Sequence, residues 1–502
     1  MLQELKKIKT IGGVMKQTAD IYLVQESMIW SAIQASNKNS IVQIFAQIGQ
    51  FDWCEPYRIA EQYEAFGSGF LIDDAGHVVT NAHVVEGAKY IWIQVPALGR
   101  RKLDVDIVGI CPDRDLALLK ISDDGVKILR EVVSTIPFLP LGDSDVVKSA
   151  DSVLVLGYPL GQYHIKSTTG IISGQEYILN SSFLQITAPI NPGSSGGPVI
   201  NVLGQVIGIA VAIAEGAQSV GYAIPINELL IILDDLRTKR FIRKVLLGVR
   251  FVSAGDEKAR YLNNPVPAGL YIAQVFPGSI CARAGIQAGD MLYQINELPL
   301  DAYGETNVSW LPNKVSIYDI ISRFKVGDAI LMVIYRNGER KDINVVIDDV
   351  IPFGIRRKFP DYEDVSYDTI AGMVVMELTE NHLPLLLLDA PELIGFRQPE
   401  KRVKPVMVIT NIVPGSYAYQ VGSLAVGNII VAVNGLPVAT LDDWKKALEK
   451  SAQSGFVAVM TEHEVLTVLS LKKILADEEK LSAAFEYPLS ENVKKLQKNY
   501  SK

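Results

Sequence analysis

The sequence has few cysteines and few histidines. Its 502 residues include only Cys54, Cys111 and Cys281, together with five histidines. The cysteines form no CxxC pair, so the sequence predicts neither a disulfide framework nor a cysteine-rich zinc site. The histidines form no HExxH motif or similarly spaced ligand pair. We therefore expect no metal ion and no cofactor, and we interpret the cysteines as buried, unreactive thiols.

Long apolar runs and an excess of positive charge are missing too. No stretch of about 18 uncharged apolar residues predicts a membrane span, and the formal net charge is −8. This balance gives no general attraction to nucleic acid or to an anionic membrane. The N-terminus lacks the uninterrupted apolar segment and cleavage site of a signal peptide. We therefore expect a cytoplasmic protein, whereas an incorrectly assigned start codon would hide an export signal and imply a periplasmic location.

The length and the residue patterns predict several domains. A chain of this size with 48% apolar residues is too long for one core and too apolar to be largely disordered. Residues 1–39 have apolar positions at helical spacing. Residues 40–236 consist of short β-branched runs interrupted by Gly, Pro, Asn and Asp, a pattern typical of an all-β barrel or sandwich.

The second half contains an internal repeat. The stretch that starts near Pro277 is echoed near Pro414, and 19 residues separate Pro277 from Asn296 while 20 separate Pro414 from Asn434. Each copy mixes strand-like runs with a late helix, which predicts two small α+β domains. The predicted units are residues 237–352, residues 366–474 and a charged tail at residues 475–502.

Three segments of the β-rich region carry residues suited to nucleophilic catalysis. Ser195 lies on a glycine-flanked turn, His83 lies where a strand meets a loop, and Asp115 precedes the apolar run LALL. Their chain order, His, Asp, Ser, is that of chymotrypsin-type enzymes. Asp113 is the competing acid. Each segment alone is more typical of an ordinary turn, a structural histidine or the end of a strand.

Several motifs in this region resemble one protein family. GSGFLID, TNAHVV, DLALLKI, LGDSD, TTGIISG, NPGSSGGPVIN and GYAIPIN follow one another over residues 41–235, in the order found in the HtrA (Do-like, or Deg) serine proteases. The two repeats resemble the PDZ domains of that family, and the divergent second copy is most similar to the plant-type Deg branch. The resemblance implies a mainly β fold: a chymotrypsin-like double β-barrel followed by two PDZ-like α+β domains.

The resemblance also implies roles for individual residues. Ser195 becomes the nucleophile, His83 the general base and then acid, and Asp115 the group that orients the imidazole. Ser194 and Tyr158 depart from the family, where asparagine is usual. The implied oxyanion hole consists of Gly193, Ser194 and Ser195; the implied specificity pocket of Ile190, Val220 and Tyr222; and the implied carboxylate-binding loop of the first PDZ domain of Leu246, Leu247, Gly248 and Val249.

These roles imply an ATP-independent serine endopeptidase that degrades unfolded or damaged polypeptides and cleaves after small aliphatic residues. Its PDZ domains would bind peptide C-termini or regulate assembly, and Ala371 to Val374 occupy the comparable place in the second domain. A homotrimer, or a multiple of trimers, would form through the N-terminal segment, where Ile29 and Trp30 are candidate contacts. The alternative is a peptide-binding chaperone or scaffold whose triad is intact but inactive.

Overall fold

The computed structural model describes residues 28–178, 181–211, 220–311 and 313–500. Helix α1 covers residues 28–37, and the rest of the predicted N-terminal helix lies outside the described residues. The side chain of Trp30 is 8% exposed and belongs to the same apolar cluster as Ile41 of the first barrel. Trp30 is therefore part of this chain's own core, whereas Ile29 is exposed.

A closed six-stranded barrel follows α1, with strand order β1-β2-β3-β6-β5-β4. Its β-branched and aliphatic residues form one apolar cluster inside the barrel, as strand propensity and burial require. The elements are β1 (Ile41–Gln50), β2 (Glu61–Leu71), β3 (His77–Thr80), α2 (Ala82–Val85), β4 (Ala88–Gln94), β5 (Leu103–Cys111), β6 (Leu116–Ile121) and α3 (Asp123–Val133).

A second closed barrel has the strand order β10-β11-β12-β9-β8-β7. Helix α4 covers both barrels because its buried leucines and isoleucines share a cluster with residues of each. The two barrels confirm the predicted chymotrypsin-like architecture. The elements are β7 (Ser152–Gly157), β8 (Lys166–Ile178), β9 (Ser181–Ile186), β10 (Pro198–Ile200), β11 (Val206–Val211), β12 (Gly221–Pro225) and α4 (Ile226–Thr238).

The first repeat forms a sheet of order β13-β14-β15-β19-β20, with β16 beside β15 and a separate pair β17-β18. Strand β13 is at the edge of this sheet. The elements are β13 (Val249–Ser253), α5 (Asp256–Tyr261), β14 (Leu270–Val275), α6 (Ile280–Arg283), β15 (Met291–Ile295), β16 (Leu298–Pro299), β17 (Glu305–Thr306), β18 (Val315–Ser316), α7 (Ile317–Ser322), β19 (Ala329–Arg336) and β20 (Glu339–Val346).

The main sheet of the second repeat has one strand more than that of the first, in the order β21-β22-β23-β24-β26-β27, with β25 beside β24. Its strands are β21 (Tyr367–Ile370), β22 (Met373–Glu377), β23 (Met407–Ile412), β24 (Ile429–Val433), β25 (Leu436–Pro437), β26 (Phe456–Thr461) and β27 (Leu466–Ser470). Its helices are α8 (Leu383–Leu386), α9 (Pro399–Arg402), α10 (Tyr417–Val421), α11 (Leu441–Glu449), α12 (Ser451–Ser454), α13 (Leu471–Phe485) and α14 (Glu491–Tyr500).

The charged tail is part of this second unit. Ile474 of α13 and Val493 of α14 share one apolar cluster with Trp444 of α11, whose side chain is fully buried. The boundary predicted at residue 475 falls inside α13. Helices whose exposed faces carry many charges still bury an apolar stripe, so the charge content of the tail does not exclude packing.

Candidate active site

His83 and Asp115 form a hydrogen-bonded pair at one end of the first barrel. The imidazole Nδ1 of His83 lies 2.8 Å from Asp115 Oδ2 and 3.0 Å from Oδ1. The backbone N–H of His83 also donates to Asp115 Oδ1, at 2.9 Å. The carboxylate therefore contacts both the ring and the main chain of His83, which fixes the orientation of the ring and directs Nε2 away from the acid.

The loop before β6 presents Asp115 to the histidine. Asp115 has a left-handed backbone, with φ +55°, at the end of a short 3₁₀ helix, and its carbonyl accepts a hydrogen bond from Asn81 Nδ2 at 3.0 Å. The competing acid, Asp113, accepts from Arg243 at 3.3 Å and from the Lys244 N–H at 3.1 Å. Asp113 therefore contacts the segment after α4, and Asp115 alone of the two contacts His83.

The environment of His83 favours its protonated form. Partial burial of the imidazole lowers its pKa, but the hydrogen bond and the charge of Asp115, with a smaller contribution from Glu86, outweigh that effect and hold the pKa above its ordinary value. A base that receives a proton during a reaction becomes an imidazolium. The carboxylate of Asp115 stabilises that charge where it would form.

The turn that carries Ser195 approaches the histidine helix from the second barrel. A Cβ on Gly67 of β2 would lie 2.7 Å from a side-chain carbon of Val84, the residue after His83, and 3.3 Å from the Ser195 carbonyl oxygen. The two segments thus meet on either side of one glycine. Ser195 is 5% exposed. The backbone of Ser195 therefore lies close to the helix that carries His83.

Ser68 holds this turn in place. Its Oγ donates to the Gly193 carbonyl at 2.7 Å and accepts from the Tyr158 N–H at 2.8 Å. Its backbone N–H donates to the Ser195 carbonyl at 2.8 Å, and its own carbonyl accepts from Thr80 Oγ1 at 2.8 Å. Ser68 is fully buried. Sequence analysis missed its role, although the Gly-Ser-Gly run at residues 67–69 was a signal of close backbone approach.

The implied oxyanion donors differ in their hydrogen bonds. Gly193 has φ +92°, and a Cβ there would lie 2.6 Å from the Tyr158 carbonyl, so only glycine fits. Its N–H has no hydrogen-bond partner within the described residues. The N–H of Ser194, in contrast, donates to the Asn191 carbonyl at 2.9 Å. Ser194 is therefore committed to the turn, and its N–H is not a donor for an oxyanion in this conformation.

The residues of the implied specificity pocket lie on two faces of β12. A Cβ on Gly221 would lie 3.0 Å from the Ile190 side chain, so Ile190 packs directly against the strand next to Val220. Tyr222 points to the other face, because alternate residues of a strand do, and its ring contacts Phe183 edge-on at 6.2 Å. The side chains of Ile190 and Tyr222 therefore do not line one pocket.

The loop from Leu246 to Val249 leads into the edge strand β13 of the first repeat. Gly248 has φ +70° and packs so closely on Ser279 that a Cβ would lie 2.2 Å from the serine Cβ. Beyond the loop, Phe251 of β13 and Tyr318 of α7 have ring centroids 6.2 Å apart. An open strand edge beside a helix is the geometry that accepts an extended peptide.

The comparable place in the second repeat is occupied by the chain itself. β21 pairs antiparallel with β22, from Tyr367 opposite Met376 to Ile370 opposite Met373, so the edge of β22 is already used. The N–H of Ala371 donates to the Glu478 carboxylate of α13 at 2.8 Å. Sequence analysis missed the contact between Ala371 and Glu478, because these partners are 107 residues apart in the chain.

No cluster of three or more His, Cys, Asp or Glu side chains within the described ranges is arranged to hold a metal ion. Burial raises the pKa of the Cys111 thiol to about 12; Arg114 lowers it by a smaller amount and Asp113 raises it. Within the same ranges, every helix is too short or too polar to cross a membrane.

Comparisons with known proteins agree with this geometry. A family model described as a trypsin-like peptidase domain matches residues 67–209, and one described as a PDZ domain matches residues 408–455. A solved structure, the HtrA-type protease AlgW with tripeptide, is 25% identical with a TM-score of 0.50, and the alignment covers 63% of this chain and 96% of that one.

Curated bacterial proteins also match this chain. A protein of Halomonas elongata named "Probable periplasmic serine endoprotease DegP-like" is 33% identical over 297 residues, which are 58% of this chain and 58% of that protein. A protein of the same name from Hahella chejuensis is 29% identical over 407 residues, 79% of this chain and 78% of its own length. The match to the Halomonas protein thus spans little more than half of that relative.

These names overturn one expectation. The predicted cytoplasmic location is wrong, because the relatives from Halomonas, Hahella and Pseudomonas are all named as periplasmic proteins. The assignment to the plant-type Deg branch stays a prediction. The two barrels agree with the matched peptidase model, and the chain is similar to DegP-like serine endoproteases and to an HtrA-type protease.

Proposed function

We propose that this chain is an ATP-independent serine endopeptidase that acts on unfolded or damaged polypeptides outside the cytoplasm, in the periplasm if the host has one. One observation carries the proposal: Asp115 holds both the ring and the backbone of His83, and the turn bearing Ser195 is fixed against the same wall of the cleft. A hydroxyl becomes a nucleophile when such a base removes its proton.

The proposed reaction has two halves. His83 Nε2 takes the Ser195 proton as Oγ attacks the scissile carbonyl, and Asp115 stabilises the imidazolium; His83 then gives the proton to the leaving amine. The N–H groups of Gly193 and Ser195 would hold the oxyanion, at about 3–4 kcal/mol for a well-placed donor. Water then enters the acyl-enzyme by the same steps in reverse. Ile190 is the proposed wall of the specificity pocket, for small aliphatic side chains.

The two repeats would have different roles. The edge strand β13 and the Leu246–Val249 loop are free to receive a peptide C-terminus, whereas β21 occupies the corresponding edge in the second repeat. We propose that peptide capture belongs to the first repeat. We also propose a trimer or a multiple of trimers, which a native mass measurement would detect as masses in multiples of three chains.

A fluorophosphonate probe and casein test the proposed activity. The probe should label wild type at Ser195, and Ser195→Ala should abolish both labelling and casein cleavage, with a loss of about 10⁴-fold or more in kcat. Asp113→Asn is the matched control for Asp115→Asn: the first should keep most activity and the second should lose about 10³–10⁴-fold. A wild type that suppresses aggregation but is never labelled would establish the chaperone alternative instead.

A further inference from the structure

The segment between the two repeats, residues 347–366, is attached to the first barrel. We call it the inter-PDZ segment. Phe359 is 1% exposed, and its ring centroid lies 5.6 Å from that of Phe241, which follows α4. Tyr362 stacks on the same ring at 5.2 Å with an interplanar angle of 10°. Two aromatic contacts on one residue of the protease side hold this segment in a defined position.

Arg243 adds polar contacts to this attachment. It donates to the Arg357 carbonyl at 2.6 Å and to the Glu363 carboxylate at 2.7 Å. The same side chain reaches Asp113, two residues before the acid that holds His83. Because Arg243 is mostly buried and bridges the two segments, the inter-PDZ segment is placed relative to the catalytic cleft and not only to the barrel surface.

Two ion pairs join the inter-PDZ segment to the residues just after His83. Arg357 lies 3.2 Å from Glu86, and Lys89 pairs with Asp361. Glu86 is close enough to His83 to act on its charge. The segment therefore lies beside the residues that follow His83, and it lines one cavity together with His83 and the β1 and β2 ends.

A cavity of about 700 Å³ separates the inter-PDZ segment from the barrel. His83 is in its wall. The far side consists of the end of β1, the loop after it and the start of β2, and the near side of residues 357–365. Its apolar lining includes Ile48, Phe51, Trp53 and Tyr63, while most of the charged groups on its rim are paired with one another.

The mechanism of acyl transfer indicates which part of a polypeptide substrate would bind in this cavity. His83 must reach the leaving amine to protonate it, so the polypeptide that departs with that amine lies beside His83. The acyl side occupies the second barrel, near Ile190. We infer that the inter-PDZ segment and the β1–β2 rim form the binding site for the residues that follow the scissile bond, and that this site prefers large apolar or aromatic side chains. This inference rests on the proposed function.

The preference for aromatic substrate side chains follows from the part of the cavity lining that is not engaged in ion pairs. Arg357, Glu86, Lys89 and Asp361 are already neutralised in pairs, so they offer little extra attraction to a charged substrate. Tyr63 is 52% exposed and is available for contact. A substrate side chain that covers such rings gains from burial, and differences of about tenfold or more in kcat/KM are usual for apolar subsites.

Matched substrates test the inference on the full chain. A casein cleavage site is mapped first, and its acyl-side residues are built into an anilide that has no residues after the scissile bond. Two peptides then extend past that bond and carry phenylalanine or glycine at the first two positions after it. Wild type should cleave the phenylalanine peptide about tenfold more efficiently than the glycine peptide.

Two variants separate the site from the catalytic machinery. Phe359→Ala removes the anchor of the inter-PDZ segment, and Tyr63→Ala removes an exposed ring without affecting the fold. Both should reduce the preference to about twofold or less while anilide hydrolysis stays within about twofold of wild type. Exposed Tyr303→Ala in the first repeat is the matched control and should change neither.

Three outcomes would overturn the inference: equal cleavage of the two peptides by wild type, an unchanged preference in Tyr63→Ala, or a parallel loss of anilide hydrolysis in that variant. None of these outcomes would alter the labelling of wild type or its cleavage of casein. None of them would therefore contradict the proposed function. If wild type is neither labelled nor hydrolyses casein, the proposed function itself fails.

Discussion

At the scale of single residues, one buried hydroxyl connects the barrel that carries the base to the turn that carries the nucleophile. Ser68 Oγ joins the Tyr158 N–H to the Gly193 carbonyl, and the Ser68 backbone joins Ser195 to Thr80. The peptide groups 193–194 and 195–196, on either side of the peptide group that carries the Ser195 N–H, are thereby held. An oxyanion hole depends on such orientation, because its donors must point at one site before the reaction begins.

Ser68→Ala should therefore lower kcat about 10- to 100-fold with little change in KM, since the lost bonds orient transition-state donors and do not contact the ground-state substrate. Steady-state hydrolysis of the anilide measures both constants. Ser40→Ala is the control, because Ser40 is equally buried and its Oγ has no partner within the described residues. A rise in KM at unchanged kcat would assign Ser68 to substrate binding.

At the scale of elements, the strand β21 and the helix α13 make the contacts in the second repeat that a bound peptide would otherwise make. β21 fills the edge of β22, and the carboxylate of Glu478 caps the Ala371 N–H. Glu478 is fully buried and accepts a second hydrogen bond from Tyr487 at 2.9 Å. Burial raises its pKa from 4.5 to about 7, against the opposing effect of these two hydrogen bonds.

Glu478 should make the second repeat less stable as the pH rises. Its folded pKa lies above its unfolded value, so the stabilising contribution is complete below about pH 4.5 and is lost as the pH passes through about 7. The difference is at most about 3 kcal/mol. Urea unfolding at pH 5 and pH 8 should show that Glu478→Gln loses this pH dependence.

Glu479→Gln is the control for that experiment, because Glu479 is the exposed neighbour on the same helix. It should keep the pH dependence of wild type. If Glu478→Gln and wild type respond identically to pH, the Glu478 carboxyl is ionised in the folded protein at both pH values, and the assigned pKa is wrong.

Elements formed by local pattern were predictable, and elements that depend on distant partners were not. The β-branched runs of residues 40–236 predicted the strands, and the late helix of each repeat appears as α7 and α11. β21 was not predicted, because four residues next to a turn become a strand only when β22 offers an open edge. The tail was predicted as charged and helical, but its burial required the Trp444 surface.

At the scale of the whole molecule, the first repeat is docked on the protease barrels through charged groups. Arg323, at the end of α7, binds Asp145 with two hydrogen bonds of 2.8 and 2.7 Å. Arg114 contacts Glu228 of α4 and the Ser322 carbonyl. Arg114 is next to Asp115, so the docking contact and the acid of the site are adjacent in the chain.

A double-mutant cycle should measure this docking. Arg323→Ala and Asp145→Ala should each destabilise the full chain, and their coupling energy should be about 1–3 kcal/mol, because both groups are largely withdrawn from water. Urea unfolding gives the four stabilities. The Arg340–Asp342 pair, at 2.8 Å but half-exposed, is the control and should couple by less than about 0.5 kcal/mol. Equal coupling in both pairs would contradict a docking role for Arg323.

The sequence by itself determined the β-rich and the repeated parts of the chain, the candidate nucleophile Ser195 and the candidate base His83, because these depend on local pattern, chain order and short motifs. Only the tertiary structure decided that Asp115 and not Asp113 holds His83, that Ser68 orients the nucleophile turn, that β21 fills the second PDZ groove, and that the inter-PDZ segment lies beside the cleft. The contacts of Asp115, Ser68 and the inter-PDZ segment join residues far apart in the chain, and the pairing of β21 depends on the open edge of β22. Such arrangements depend on how whole domains pack, which no local pattern encodes.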